Sequence, residues 1–207
     1  MMSARRRVLG FTMVELMVTL TVVAVISMVA VPSFISFRQR SALRAGAEQA
    51  QSFWNQARFE AAKRNSLVKV GVFASGASYC LGATTTTIDA TDLDEPCDCL
   101  SAGACNVGVF PPLVDVSGTI VSDQSFWRGV TLNGTTLGSN SGAAVLESRR
   151  TTLIDPAMAG AIGFAAPEGP NDYRVNLLVD RQGRATLCQS TNAPDQMSDY
   201  VNRNCDP

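Results

Sequence analysis

The sequence predicts an α+β protein: one long N-terminal α-helix, membrane-spanning in its first half, packed against an antiparallel β-sheet domain. Three observations predict it. Positions 16–37 carry no charged residue over 22 residues, enough to cross a bilayer as a helix. Small and apolar residues then recur at helical period as far as Ala61. Beyond residue 66 the pattern changes to short alternating runs joined by tight connections. No strand–helix–strand alternation follows, which disfavours a parallel nucleotide-binding sheet. In a chain of 207 residues this leaves room for one distal domain and not for two substantial cores.

Residues 1–10 form a basic leader, with Arg5, Arg6 and Arg7 before Gly10. Next comes Phe11-Thr12-Met13-Val14-Glu15-Leu16-Met17-Val18, in which Glu15 is the one carboxylate of an otherwise membrane-grade segment. A charge inside a spanning helix costs several kcal/mol, so it marks a function with a specific partner. Cleavage after Gly10 would supply that partner, because Phe11 would then carry a new N-terminal amine. The apolar run is too long for an ordinary secretory signal and no Ala-x-Ala-like cleavage site follows it. The arginine triplet also raises a twin-arginine signal, but a glutamate early in the apolar core counts against that. The basic flank places the leader on the cytoplasmic side, with the distal domain outside the cytoplasmic membrane.

Gly10, Phe11 and Glu15, with the basic leader before them and Pro32 in the helix after, resemble the class III signal of type IV pilins and type II secretion pseudopilins. The resemblance implies the pilin fold. It implies that a prepilin peptidase cuts between Gly10 and Phe11, that Phe11 is N-methylated, and that Glu15 pairs with the amine of a neighbouring subunit during assembly. It implies that Pro32 is where such helices bend or melt in a filament. Taken alone, proline inside a helix removes one hydrogen bond and kinks the chain, an effect that neighbouring groups can compensate in membranes.

Residues 11–37 thus read as the transmembrane or filament-core helix and 38–65 as its amphipathic continuation. Leu43, Gly46, Ala47, Ala50, Phe53, Trp54, Ala57 and Ala61 form one stripe, while Arg40, Arg44, Glu48, Gln51, Asn55 and Arg58 mostly lie off it. The stripe is expected to pack on the distal domain, and Asn65-Ser66 to end the helix. A stretch of that length is roughly 80 Å at 1.5 Å per residue, more than a membrane needs.

Residues 66–207 read as a periplasmic β-rich domain. A strand is expected over 67–74 with Val68, Val70 and Val72 on one face, and weaker ones over 107–110, 130–132, 143–146 and 162–164. The strongest late pair is 173–179 with 184–188, joined by Asp180-Arg181-Gln182-Gly183 as a short turn. Residues 82–106 are acidic and threonine-rich, with no EF-hand spacing, and read as a solvated, disulfide-pinned loop able to carry partner specificity.

Six cysteines lie beyond the apolar helix, an even count that reads as disulfides in an exported domain. Cys188 with Cys205 is the best pairing, closing the C-terminal loop. Cys80, Cys97, Cys99 and Cys105 fall in and beside one segment, 80–106, and their pairing stays open, with a zinc site on these four as the rival reading. No histidine is present, which removes histidine-dependent nucleophilic catalysis and histidine metal ligands. No phosphate loop or nucleophile motif is present either, so no enzyme, cofactor or metal is expected. The net charge of -1 hides an acidic distal part: residues 65–207 carry eight basic and fifteen acidic groups, which argues against a broad nucleic-acid footprint.

The order Gly163-Phe164, 173–179, then Asp180-Arg181-Gln182-Gly183-Arg184-Ala185-Thr186-Leu187-Cys188 resembles the C-terminal part of the GspH/FimT/FimU group of minor pilins and pseudopilins, nearest to FimU. That resemblance implies a minor pilin of a type IV pilus that primes assembly and forms a tip complex. Its partners would be major and minor pilins met through the N-terminal helix, the prepilin peptidase, the inner membrane and a tip adhesin. A GspH-like type II secretion pseudopilin is the first alternative, with the same chemistry and other partners. A DNA-binding, FimT-like minor pilin is the second. It would need a Gly-Arg-x-Arg element, whereas Thr186 stands in place of the second arginine and only Arg181 and Arg184 flank the turn. The favoured reading of these two is an ordinary solvated turn.

Overall fold

A computed structural model describes residues 11–76, 78–89, 91–101, 103–111, 114–115, 120–121, 127–189, 193–200, 203 and 205. The leader, with Gly10, lies outside them. Helix α1 runs unbroken over Met13–Arg64, 52 residues, with Pro32 inside it. Thr12 caps its start, the side-chain Oγ1 accepting from the Glu15 amide at 3.2 Å. Asn65 ends it in the left-handed region (φ 47°), a conformation asparagine tolerates better than most residues.

Among the described residues ten strands follow: β1 (Leu67–Ser75), β2 (Ser78–Thr86), β3 (Gly108–Phe110), β4 (Val114–Asp115), β5 (Ile120–Val121), β6 (Thr131–Thr135), β7 (Ala143–Leu146), β8 (Gly160–Ala165), β9 (Arg174–Val179) and β10 (Ala185–Cys188). They form two four-stranded sheets, ordered β3-β2-β1-β7 and β10-β9-β8-β6, and a small β4-β5 pair. Every pairing within them is antiparallel. The architecture is therefore α+β, but with two sheets against the helix where one was expected.

Both sheets share one core with the second half of α1. Leu43, Ala47, Ala50, Trp54 and Ala61 are fully buried there. They meet Val68, Val70, Leu81 and Ala83 from the first sheet and Ile162, Phe164, Val175 and Leu177 from the second. Trp127 stacks on Tyr79 (centroids 4.6 Å) and Phe164 (5.7 Å) and meets Phe110 edge-on (5.0 Å). The Trp54 indole donates to the Gly183 carbonyl at 2.9 Å, tying the helix to the β9–β10 turn. Burial raises the pKa of the Tyr79 hydroxyl, which donates to Val130 O at 2.9 Å.

The two sheets differ on their outer faces. Strand β9 alternates between half-exposed and buried positions, the mark of one wet face. Strand β1 is buried at five successive positions, 68–72, because something covers both its faces. The cover is the segment between β2 and β3. Cys80 is bonded to Cys99, Cys97 to Cys105, and this sulfur cluster packs with Phe73, Leu100 and Val109 on the face away from the helix. Of the solvated, disulfide-pinned loop expected over 82–106, residues 82–86 belong instead to β2; among the described residues beyond them only Cys99 and Cys105 are buried, and the disulfides pin the segment as expected. The zinc alternative falls too, since all four sulfurs are used in disulfides. A third disulfide joins Cys188 to Cys205.

Candidate functional site

The segment that carries chemistry in this chain is the first half of α1. Thr12 and Glu15 stand at the capping-box spacing, threonine then glutamate three residues on, a signal the motif reading passed over. The structure shows one arm of that box, the amide of Glu15 donating to the threonine hydroxyl. This fixes where the helix begins and leaves the Glu15 carboxylate exposed in the first turn, near the positive end of the helix dipole. Phe11 precedes the helix and is 77% exposed.

From there to residue 35 the apolar side chains are exposed among the described residues. Leu16, Leu20, Val25, Met28 and Phe34 are each more than half exposed, and length and composition suit a membrane crossing. The hydroxyls in this stretch are turned inward: Thr19, Thr21 and Ser27 donate to carbonyls three or four residues back. Polar side chains satisfied in this way lower the cost of an apolar surrounding.

The distal domain first takes hold of the helix at Ser36 and Gln39. Asn171 Nδ2 donates to Ser36 Oγ at 2.8 Å, and that hydroxyl donates to the Pro32 carbonyl at 3.1 Å. One turn on, Gln39 is 2% exposed and its amide donates to Pro167 O (2.8 Å) and Asn171 O (3.1 Å). Neither Gln39 nor Ser36 was singled out from sequence. A glutamine just past an apolar run reads as interfacial until the segment that buries it is known. Pro32 therefore lies one turn before the point where bare helix becomes clothed helix.

The other sequence candidates fall elsewhere. Arg181 and Arg184 are exposed on the β9–β10 turn, where Asp180 Oδ1 accepts from the Gln182 and Arg184 amides at 2.8 Å each. Gly183 is buried in the same turn with φ 71° and supplies the carbonyl that Trp54 binds. The turn thus serves the docking of α1. Among the described residues no group of three or more cysteine, aspartate or glutamate side chains could hold a metal.

Residues 5–31 match the family described as the prokaryotic N-terminal methylation motif. A crystal structure of the type IV minor pilin FimU of Pseudomonas aeruginosa (strain PAO1) is similar over 77% of this chain and 98% of that chain, with 17% identity and a TM-score of 0.44. No curated protein matches the chain.

Proposed function

We propose that this chain is a minor pilin, a non-enzymatic subunit of a type IV pilus, cut between Gly10 and Phe11 by a prepilin peptidase and N-methylated at Phe11. The observation that carries the proposal is continuity. The methylation motif over 5–31 continues into a helix whose first half is lined among the described residues by exposed apolar side chains, with one exposed carboxylate and a few hydroxyls bonded back to the helix. Such a helix is stable in a bilayer before assembly and in a bundle of like helices after it.

In this reading residues 11–37 cross the inner membrane once and 66–207 stand in the periplasm. On assembly, apolar helices leave the bilayer and pack about the filament axis. Glu15 then neutralises the Phe11 amine of an adjacent subunit, and the pair sets register, because a helix slipped along the axis leaves a buried charge without its partner. Priming of assembly and a place in the tip complex belong to the same proposal and rest on the resemblance of the β9–β10 region.

The test is the N-terminal peptide mass of the protein from cells with and without a prepilin peptidase. A peptide beginning at N-methylated Phe11, present only with the peptidase, supports the reading. An intact leader, or cleavage beyond the apolar run, overturns it. Glu15→Ala and Glu15→Leu should insert into membranes normally yet enter filaments poorly. Wild-type incorporation of either variant would remove the pairing mechanism.

A further inference from the structure

Four arginines stand near the point where α1 enters its domain, and they are not equivalent. Arg44 binds Glu48 (2.8 Å) and Asp199 (3.1 Å), and Arg40 lies over the Tyr173 ring at 5.9 Å. Arg38 and Arg128 are exposed and have no ion pair or side-chain hydrogen bond among the described residues. These two line the same cleft, of about 610 Å3, together with Ile35, Phe37, Ser41 and Glu168.

Arg38 is the first charged residue after the 16–37 run, so it marks the level at which the apolar segment ends. Arg128 joins the cleft from the turn before β6, and its backbone is strained. Its φ is 52°, in the left-handed region that arginine rarely adopts, and Gly129 follows at 81°. Trp127, 1% exposed, anchors the turn from below, and a Cβ on Gly129 would lie 3.1 Å from Pro167, in the segment that clamps Gln39. Strain held in place by surrounding packing is a pointer to function.

We propose that this cleft binds the headgroup of an anionic phospholipid in the membrane leaflet from which the helix emerges. The claim rests on the anchoring of 11–37 proposed above. The two guanidiniums present forked donors that suit phosphate oxygens. With Glu168 in the same wall the cleft is net positive by one charge, which suits a singly charged phosphodiester. Phe37, 60% exposed, and Ile35, 39% exposed, give the membrane side of the cleft an apolar lining for the glycerol and upper acyl chain. That lining favours a lipid over free phosphate. The acidic composition of the distal part, net -7 over 65–207, makes a basic cleft at this level unexpected from composition alone.

The experiment reconstitutes the full chain into nanodiscs of mixed phosphatidylglycerol and phosphatidylcholine and counts retained lipids by native mass spectrometry. Each net positive charge at a charged membrane surface favours anionic lipid by about fivefold, so a cleft net positive by one should retain phosphatidylglycerol about fivefold over phosphatidylcholine. Arg38→Gln with Arg128→Gln should lower that to about twofold or less. Arg149→Gln with Arg150→Gln removes two exposed arginines elsewhere in the fold and should leave it unchanged. Equal retention of the two lipids, or a preference that survives the Arg38/Arg128 change, overturns the proposal. So does displacement of the lipid by excess inorganic phosphate, which would make the cleft a free-anion site. Loss of filament incorporation with lipid preference intact would make it a subunit contact instead. Failure to insert into any nanodisc would overturn the anchoring reading beneath it, a result distinct from insertion without preference.

Discussion

The β1–β2 sheet is covered on both faces by different means. On the inner face α1 lays down Trp54, Leu43 and a row of alanines, and apolar burial closes the contact. On the outer face the cover is an acidic loop with few large apolar side chains, closed by two disulfides and one ion pair. The difference follows from supply. A helix of 52 residues brings a continuous apolar stripe, and burial at about 25 cal/mol per Å2 suffices. A short polar loop has no such area, so its ordering is offset by covalent links, the solution small exported domains use.

That contrast predicts unequal losses. Trp54→Ala empties one of the two largest buried side chains of the core and strands the Gly183 carbonyl, and should destabilise the whole domain by about 3–5 kcal/mol. Urea unfolding of the full chain in detergent checks it, with loss of both sheets in one transition. Cys80→Ser with Cys99→Ser should cost about 2–4 kcal/mol, chiefly by freeing the loop. The inner face should survive it, so the fluorescence of Trp54 and Trp127 should stay native while hydrogen exchange rises across the loop. If the cysteine change instead abolished the tryptophan signal, the two faces would be one cooperative unit and the contrast would fail.

The faces also differed in how far they could be read from sequence. The inner face was legible because its signals are periodic. Leu43 to Ala61 repeats at helical spacing, Val68, Val70 and Val72 alternate, and Asn65 ends the helix where the pattern stops. The outer face was not. Strand β2 is not legible in the sequence, because Gly82, Ala83 and three threonines carry no apolar alternation, and its Gly82 is small for a reason that only the cross-links reveal. The pairing of Cys80, Cys97, Cys99 and Cys105 depends on how the segment carrying the last three lies against β2, and local spacing does not encode it. In the N-terminal segment the motif residues Phe11 and Glu15 were plain, while the clamp by Asn171 and Pro167 was hidden, since it joins positions more than 100 residues apart.

Gly82 tests the outer face with one carbon. A Cβ there would lie 2.5 Å from both Cys97 Sγ and Cys105 Sγ, so Gly82→Ala must push the sulfur cluster off the sheet. The expected cost is about 1–3 kcal/mol, read as faster reduction of Cys97–Cys105 by dithiothreitol with little change in the inner core. Gly163→Ala, in the second sheet near Asn133 O, supplies the comparison, because it should leave the reduction rate unchanged.

The smallest effect comes from the Lys69–Asp92 ion pair on that face. Lys69 is buried on β1 and donates to Asp92 Oδ2 at 2.6 Å and to Asp92 O at 2.7 Å. The hydrogen bond from Lys69, then its charge, holds the Asp92 carboxyl below the usual carboxylate range. A carboxyl whose pKa is lower folded than unfolded stabilises fully above its unfolded value, about 3.9, and loses that contribution as pH falls through the lower folded value. The loop should therefore loosen below about pH 4, seen as rising hydrogen exchange near residue 92. Asp92→Asn should abolish that pH dependence while Lys69 keeps its bond to the backbone carbonyl. A loop that loosened equally with falling pH in the Asp92→Asn variant would show that other carboxylates of the segment, not the Lys69–Asp92 pair, carry the pH dependence, and would remove the ion pair from the account of the outer face.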